Sequence, residues 1–278
     1  MSTTDQDMIS LNGISLNGIS LNGISLNGTS ITGQSITGVN VTGASASGST
    51  LIARSTTAAP WSGSSLVGST WTATTSGNQT LKLRVDAAAQ GTVPNAELWF
   101  YNVSYQTSSG WSPVCGVDAS NKPVQAVAVA GVWGPVAADA TAYTASTAQF
   151  TLACRAKTIA KCVELGYKTY KSLAPQLQAC VRMLRADYCG NGTTYTVDGT
   201  TLNLYDNAGV QADTEAWLPE AEWNAAGAVC VNNKNNPRWR LVTDKDPSCA
   251  AAIMSSTCGT KFSVGTLLID ELPAGEVP

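Results

Sequence analysis

Eight cysteines, Cys115, Cys154, Cys162, Cys180, Cys189, Cys230, Cys249 and Cys258, are the residues of this chain best suited to chemistry, and all lie in its second half. A nucleophilic cysteine needs a base within hydrogen-bond reach, usually histidine, and the chain contains no histidine. Zinc is poorly served for the same reason, and no two cysteines stand in the C-x-x-C spacing of a zinc finger. An even number of cysteines at irregular spacing points instead to structural disulfides, four if all pair, in an oxidising and exported setting. Their connectivity is not readable from the spacing.

The carboxylates offer a second chemistry. Glu220 with Glu222, and Asp213 with Glu215, are pairs of the type that glycoside hydrolysis uses. As neighbours two apart in an acidic stretch, they read as solvated loop charge. Asp187 beside Cys189 reads as a cap or anchor for a segment leaving a helix, with Arg185 as a partner to Asp187 or to Glu164. No D-x-D-x-D-G calcium loop occurs, and no metal or cofactor is expected. Trp61, Trp71, Trp111 and Trp223 stand beside Pro, Ser, Gly or Asn, where exposed rings stack on sugars. Trp99, Trp133 and Trp239 read as core.

The elements that must carry these residues begin with a repeat. Ile9-Ser10-Leu11-Asn12-Gly13 recurs at Ile14, Ile19 and Ile24, then decays through Thr29–Gly33, Gln34–Gly38, Val39–Gly43 and Ala44–Gly48. Alternating Ile, Ser and Leu makes a three-residue strand with two side chains on one face. The Asn-Gly that follows supplies a bend, because both residues tolerate a positive φ. Strand and corner in alternation predict a β-solenoid with Ile9, Leu11, Ile14, Leu16, Ile19, Leu21, Ile24, Leu26, Ile31, Ile36 and Val41 as its interior. The pattern resembles the pentapeptide-repeat family, although that family prefers a small residue where Ile9, Ile14, Ile19 and Ile24 stand. So short a coil needs a cap, supplied by the rest of the chain or by stacking with other copies.

Residues 52–70 are rich in Ser, Thr, Ala and Gly and read as a connector. Alternation at Leu81, Leu83 and Val85, at Phe100 and Tyr101 through Tyr105, and at Ala126, Ala128 and Ala130 predicts strands of a sandwich or barrel. Helices are expected over 157–167, with Ile159, Cys162 and Val163 on one face, and from Pro175 through Leu177, Cys180, Val181 and Leu184. A third should start at Asp246-Pro247 and carry Cys249 and Ile253. Asp198-Gly199 reads as the turn of a hairpin over 194–204.

Only 13% of the residues are charged and the formal net charge is −3, which argues against a nucleic-acid binder with its basic face. No apolar run is long enough to span a membrane. The polar start, Met1 to Asp7, lacks the apolar core of a signal peptide, so an exported protein needs a leader outside this sequence.

Arg185-Ala186-Asp187-Tyr188-Cys189-Gly190, followed by Gly192 and Asp198-Gly199-Thr200, resembles the ADYC-domain family, named for that motif. Phe150-Thr151-Leu152-Ala153-Cys154, Lys161 to Tyr167, Asn203-Leu204-Tyr205-Asp206 and Glu220-Ala221-Glu222-Trp223 fit the same family, so the resemblance covers roughly residues 80–270. It implies an exported bacterial protein of the secreted or cell-surface type and no particular reaction. Arg185, Asp187 and Tyr188 are the motif anchors it suggests.

The expected fold is α+β and mostly β. It comprises a solenoid over 8–53, a connector over 54–70 and an ADYC-like domain over 71–275 stapled by disulfides and carrying two or three short helices. The expected function is that of a non-catalytic exported or surface structural protein that self-associates through the repeat. An extracellular glycan-binding module and a secreted hydrolase around Asp187 are the alternatives. Deleting residues 8–50 should then abolish assembly and leave the second domain folded.

Overall fold

The computed structural model describes residues 8–9, 23–75, 78–133, 142–155, 157–196, 200–232, 238–239, 242–243 and 246–273. The first strands are β1 (Met8–Ile9), β2 (Gly23–Asn27), β3 (Thr32–Gln34), β4 (Asn40–Val41), β5 (Gly43–Ser47), β6 (Thr50–Arg54) and β7 (Trp61–Ser62). There follow β8 (Thr70–Thr74), β9 (Thr80–Gln90), β10 (Trp99–Thr107), β11 (Gly110–Pro113), β12 (Ala126–Ala130), β13 (Val132–Trp133), β14 (Tyr143–Thr144) and β15 (Gln149–Cys154). Helices α1 (Thr158–Glu164) and α2 (Ala174–Arg185) precede β16 (Thr201–Asp206), β17 (Leu218–Asn224), β18 (Gly227–Val231), α3 (Pro247–Ile253) and β19 (Leu268–Leu272).

One large sheet runs in the order β2-β15-β12-β10-β9-β8-β3-β4. An antiparallel bridge from Leu26 to Thr75, just past β8, brings its first strand back toward its far side, so the sheet curls into a nearly closed barrel. Strand alternation then gives it two buried faces. Ala126, Ala128, Phe150, Leu152, Tyr101 and Val103 point into the barrel core with Leu26, Ile31 and Trp71. Val127, Val129, Ala153 and Phe100 point outward into a second core with α1 and α2. A smaller sheet, ordered β1-β16-β19-β17-β18, covers α2 from the other side. Among the described residues the strands predominate, with the three short helices α1, α2 and α3 beside them.

The helices form where the spacing puts them. Pro175 occupies the first turn of α2, where its missing N–H costs nothing, and Leu177, Cys180, Val181 and Leu184 are buried. Asp246 caps α3 by accepting a hydrogen bond from the Cys249 N–H at 3.1 Å.

The repeat is used differently from a solenoid. Among the described residues, every strand ladder is antiparallel: β2 pairs with β15, β3 with β8 and β4, and β5 with β6. Stacked coils would pair in parallel, unit upon unit. Leu26, Ile31 and Val41 are buried in the barrel core, whereas Ile36 is 73% exposed at the β3–β4 turn. Leu11, Ile14, Leu16, Ile19 and Leu21 lie outside the described residues, and Ile9 and Ile24 are placed by their strands alone. The repeat glycines also diverge. A Cβ on Gly28 would meet the Ala44 carbonyl oxygen at 2.0 Å, and one on Gly33 the Thr70 oxygen at 2.0 Å, while Gly38 sits at φ +82° in open space. In the described units the pentapeptide pattern thus encodes strands and bends, and those strands pair antiparallel, β2 with β15 and β3 with β8.

Two further stretches bear on the expected organisation. The boundary over 54–70 runs between hydrogen-bonded neighbours, since β3 and β8 are adjacent and β6 and β7 lie on either side of residues 55–60. Removing residues 8–50 would take Leu26, Ile31, Val41 and Ala44 out of the barrel core. The Asp198-Gly199 turn of the expected 194–204 hairpin lies outside the described residues. The N–H groups of Tyr195 and Thr196 donate to the Arg185 carbonyl, and β16 pairs with β1 and β19 instead.

Candidate functional site

The motif begins where α2 ends. Ala186 takes the left-handed conformation, φ 52° and ψ 38°, and its N–H bonds back to the Arg182 and Met183 carbonyls. This reversal tucks Asp187 under the helix, with its own N–H on the Arg182 carbonyl at 2.9 Å. The Asp187 carboxylate is fully buried and ion-paired with Arg182 at 2.5 Å. It also accepts from the Gly192 N–H at 3.2 and 3.1 Å, while Arg182 Nε donates to the Ala225 carbonyl at 2.7 Å. The partner of Asp187 is therefore Arg182, one turn earlier than the expected Arg185. Arg185 donates to the Gly192 carbonyl at 3.1 Å, and Glu164 is paired with Arg155 at 2.8 Å.

Tyr188 runs into the second core. Its ring stacks on Trp223 with centroids 5.0 Å apart and meets Trp239 edge-on at 5.4 Å. Its hydroxyl donates to Glu220. Glu220 pairs with Arg238 through Nε at 2.9 Å and Nη2 at 2.5 Å. Arg238 also reaches Asp270 at 3.0 Å and the Met183 carbonyl at 3.2 Å. Asp270 in turn accepts from the Trp223 indole at 2.8 Å and the Ala221 N–H at 3.1 Å. Arg238, Asp270 and Trp223 are at 0% exposure and Glu220 is at 1%.

The electrostatics divide the two acids. Burial raises the Glu220 carboxyl, but the Arg238 charge and hydrogen bonds outweigh it and leave it below the ordinary value. Burial, then the Glu220 charge, pushes Asp270 well above the ordinary value despite Arg238. Burial and Glu220 push Tyr188 up as well. The two shifts favour the negative charge on Glu220 against Arg238 and the proton on Asp270, which avoids two adjacent buried negative charges.

Glu222 is 1% exposed and accepts from Gly259 N–H, Ser263 N–H and the Thr266 hydroxyl at 2.9, 2.9 and 2.7 Å. Burial raises its pKa, but these bonds hold it below the ordinary value. Glu220 and Glu222 are thus neighbours on β17 with separate structural partners, not solvated loop charge. Asp213 is an exposed loop residue whose carboxylate accepts from Asn203 at 2.9 Å. The same Asn203 amide donates to Glu271 at 3.1 Å.

All eight cysteines are paired, as Cys115–Cys154, Cys162–Cys180, Cys189–Cys249 and Cys230–Cys258. Two groups bring acid and sulfur atoms within 4.8 Å, Cys189 with Asp246 and Cys249, and Glu222 with Cys230 and Cys258. In both, the sulfurs are locked in disulfides and offer no thiolate to a metal. Trp71 and Trp223 are buried, and the Trp111 ring is covered by the Arg84 guanidinium at 4.5 Å. Trp61 is half-buried, Trp133 and Trp239 are buried, and Trp99 is half-buried beside Tyr101. A polar cleft of about 370 Å³ lies beside the 91–95 loop. On its floor Arg155 stacks on Phe100 at 4.0 Å and pairs with Glu164 and Gln125.

Sequence reasoning singled out Asp187 and Tyr188 but missed Arg182, Arg238 and Asp270. Helical spacing puts Arg182, with Arg185, on the side of α2 away from Leu177, Cys180, Val181 and Leu184, and the structure corrects this, since Arg182 is buried at 4% exposure by its pairing with Asp187 and the Ala225 carbonyl. Arg238 and Asp270 carry no readable signal, because their partner lies tens of residues away in the chain.

No helix among the described residues is long and apolar enough to cross a membrane. No curated protein and no solved structure matches the chain. The family model described as the ADYC domain matches residues 63–237, which spans the motif, the disulfide-linked helices α1 and α2, and Glu220. With the motif's residues welded into the second core and more than half of the chain matched, the protein belongs to the ADYC-domain family.

Proposed function

We propose that the protein is a non-catalytic structural protein of the exterior of a bacterial cell, secreted or held at its surface, and that its N-terminal repeat mediates self-association. Four disulfides are consistent with an oxidising extracellular setting. The observation that carries the non-catalytic reading is the state of the motif. Asp187 has no exposed surface and both of its oxygens accept hydrogen bonds, Tyr188 is packed between two indoles, and Cys189 is oxidised. These are the features of a satisfied structural core, not of a site that meets substrate. The case for the repeat is one of number. Ile9–Gly13, Ile14–Gly18, Ile19–Gly23 and Ile24–Gly28 have one sequence, and among the described residues one such unit, in β2, pairs with β15.

Light scattering on the intact chain, beside a Leu11→Asp, Leu16→Asp, Leu21→Asp variant, tests this reading while leaving Leu26 in the barrel. The intact chain should exceed the monomer mass and the variant should not. Equal masses for the two proteins would overturn it.

A further inference from the structure

The edge of β15 is filled by one copy of a sequence that the chain carries four times. The ladder pairs Ile24 with Leu152, Ser25 with Thr151, Leu26 with Phe150 and Asn27 with Gln149. Leu26 is at 0% exposure and closes the barrel seam by its bridge to Thr75. The ladder residues Gly23 to Asn27 recur identically as Gly13 to Asn17 and Gly18 to Asn22, so nothing in the ladder distinguishes this unit from those two, whereas Ile9 is preceded by Met8 and pairs with Thr201. Register in a sheet is normally set by the hydrophobic pattern, and a pattern that repeats every five residues sets several registers equally well.

We infer that the β15 edge is a strand-acceptor slot that takes a repeat unit from a second copy of this chain. The inference rests on the self-association reading and gives it a mechanism: exchange of an edge strand between copies. A donor unit would make the same backbone ladder and bury the same leucine beside Phe150 as β2 does. With the contacts equal, concentration decides the source. The tethered β2 competes at the effective concentration of its own short linker, of millimolar order. Copies held close together can therefore exchange strands at no cost in contacts, which is the usual low-cost route to a domain-swapped assembly. The slot is specific as well. Leu152 and Phe150 face into the barrel core, so a donor needs apolar residues two apart, the spacing each unit supplies.

Cross-linking between two singly substituted chains tests it. Asn27 lies opposite Gln149 in the ladder, within the Cα separation that a disulfide bridges. Asn17 holds the same position in its own unit. One protein carries Asn27→Cys or Asn17→Cys and the other Gln149→Cys. They are mixed at increasing concentration, and also co-refolded from denaturant with the native disulfides intact so that a kinetically trapped β2 has the chance to exchange. Asn121→Cys, in an exposed turn, replaces Gln149→Cys as the control acceptor. Strand exchange predicts a covalent heterodimer, with the new bond mapped by mass spectrometry to residue 149. It should exceed the control at least tenfold and rise with concentration. Heterodimer no greater than the control from either donor, before and after co-refolding, overturns the inference. If light scattering still shows association in that case, the repeat joins copies by another contact and the self-association reading survives alone. Monomer mass together with no cross-link removes both.

Discussion

Asp270→Asn removes a fully buried acid whose pKa the fold raises well above the ordinary value. The Asp270 carboxyl is at 0% exposure, faced by Arg238, Glu220, Tyr188 and the Trp223 indole. Burial and the Glu220 charge raise its pKa well above the ordinary value. The unfolded chain releases that proton near about pH 3.9. Above that pH the folded protein binds one more proton than the unfolded chain, so stability falls as pH rises, by about 1.4 kcal/mol per pH unit, until the folded pKa is passed. Glu220 has the opposite sign, since its folded pKa is lowered. Its contribution is present above about pH 4.3 and is lost only as pH falls through the folded value, below the window of interest. Asparagine matches the carboxyl in size and does not titrate. With its Oδ1 kept on Trp223 and Ala221, its NH2 stands where the carboxyl oxygen accepts from Arg238 and cannot accept, which costs a constant of about 1–2 kcal/mol. Denaturant unfolding of both proteins, disulfides intact and followed by tryptophan fluorescence between about pH 5 and 7, measures the difference. Wild-type stability minus variant stability should fall with pH at close to the one-proton slope. A difference that stays flat across the range would refute the assignment of the proton to Asp270.

The repeat glycines should differ in cost although the sequence writes them alike. Gly28→Ala drives a methyl against the Ala44 and Ala148 carbonyl oxygens, at 2.0 and 2.8 Å, and should lower stability by about 3 kcal/mol. Gly38→Ala has open space and suffers only its positive φ, so it should cost about 1 kcal/mol, and equal costs in thermal unfolding would contradict the packing. Replacing Cys189 and Cys249 together by Ser opens a bridge with sequence separation 60, which in the loop-entropy treatment removes about 4 kcal/mol. Because that bridge pins the motif to α3, the loss should appear as early hydrogen exchange at Gly190 and at Ala228, whose N–H donates to the Tyr188 carbonyl, and unchanged protection there would count against it.

The motif shows what an isolated sequence pattern can hide. Asp187 and Cys189 carry the residue types of a reactive pair, and the absence of histidine already argued against one. The fold accounts for both residues by structure, an ion pair under a helix end and a bridge to α3. The two glutamates of β17 make the reverse point. They read as a solvated pair, yet Glu220 and Glu222 are among the most deeply buried acids of the described chain.

By itself the sequence determined what local physics controls. Helical spacing and Pro175 placed α2, Asp246-Pro247 placed α3, alternation placed β9, β10 and β12, and the cysteine count with no histidine pointed to disulfides. The motif likewise pointed to the family that matches. Tertiary structure alone decided which cysteine meets which, that Arg182 rather than Arg185 holds Asp187, and that Arg238 and Asp270 complete the network around Glu220. It also decided that the described repeat strands enter antiparallel sheets and do not stack as coils. The physical reason is common to all of these. A strand or a charge states in its own residues what it needs, an edge to pair with or an opposite charge, but long-range packing selects the partner. Five-residue units that are identical in sequence cannot name theirs.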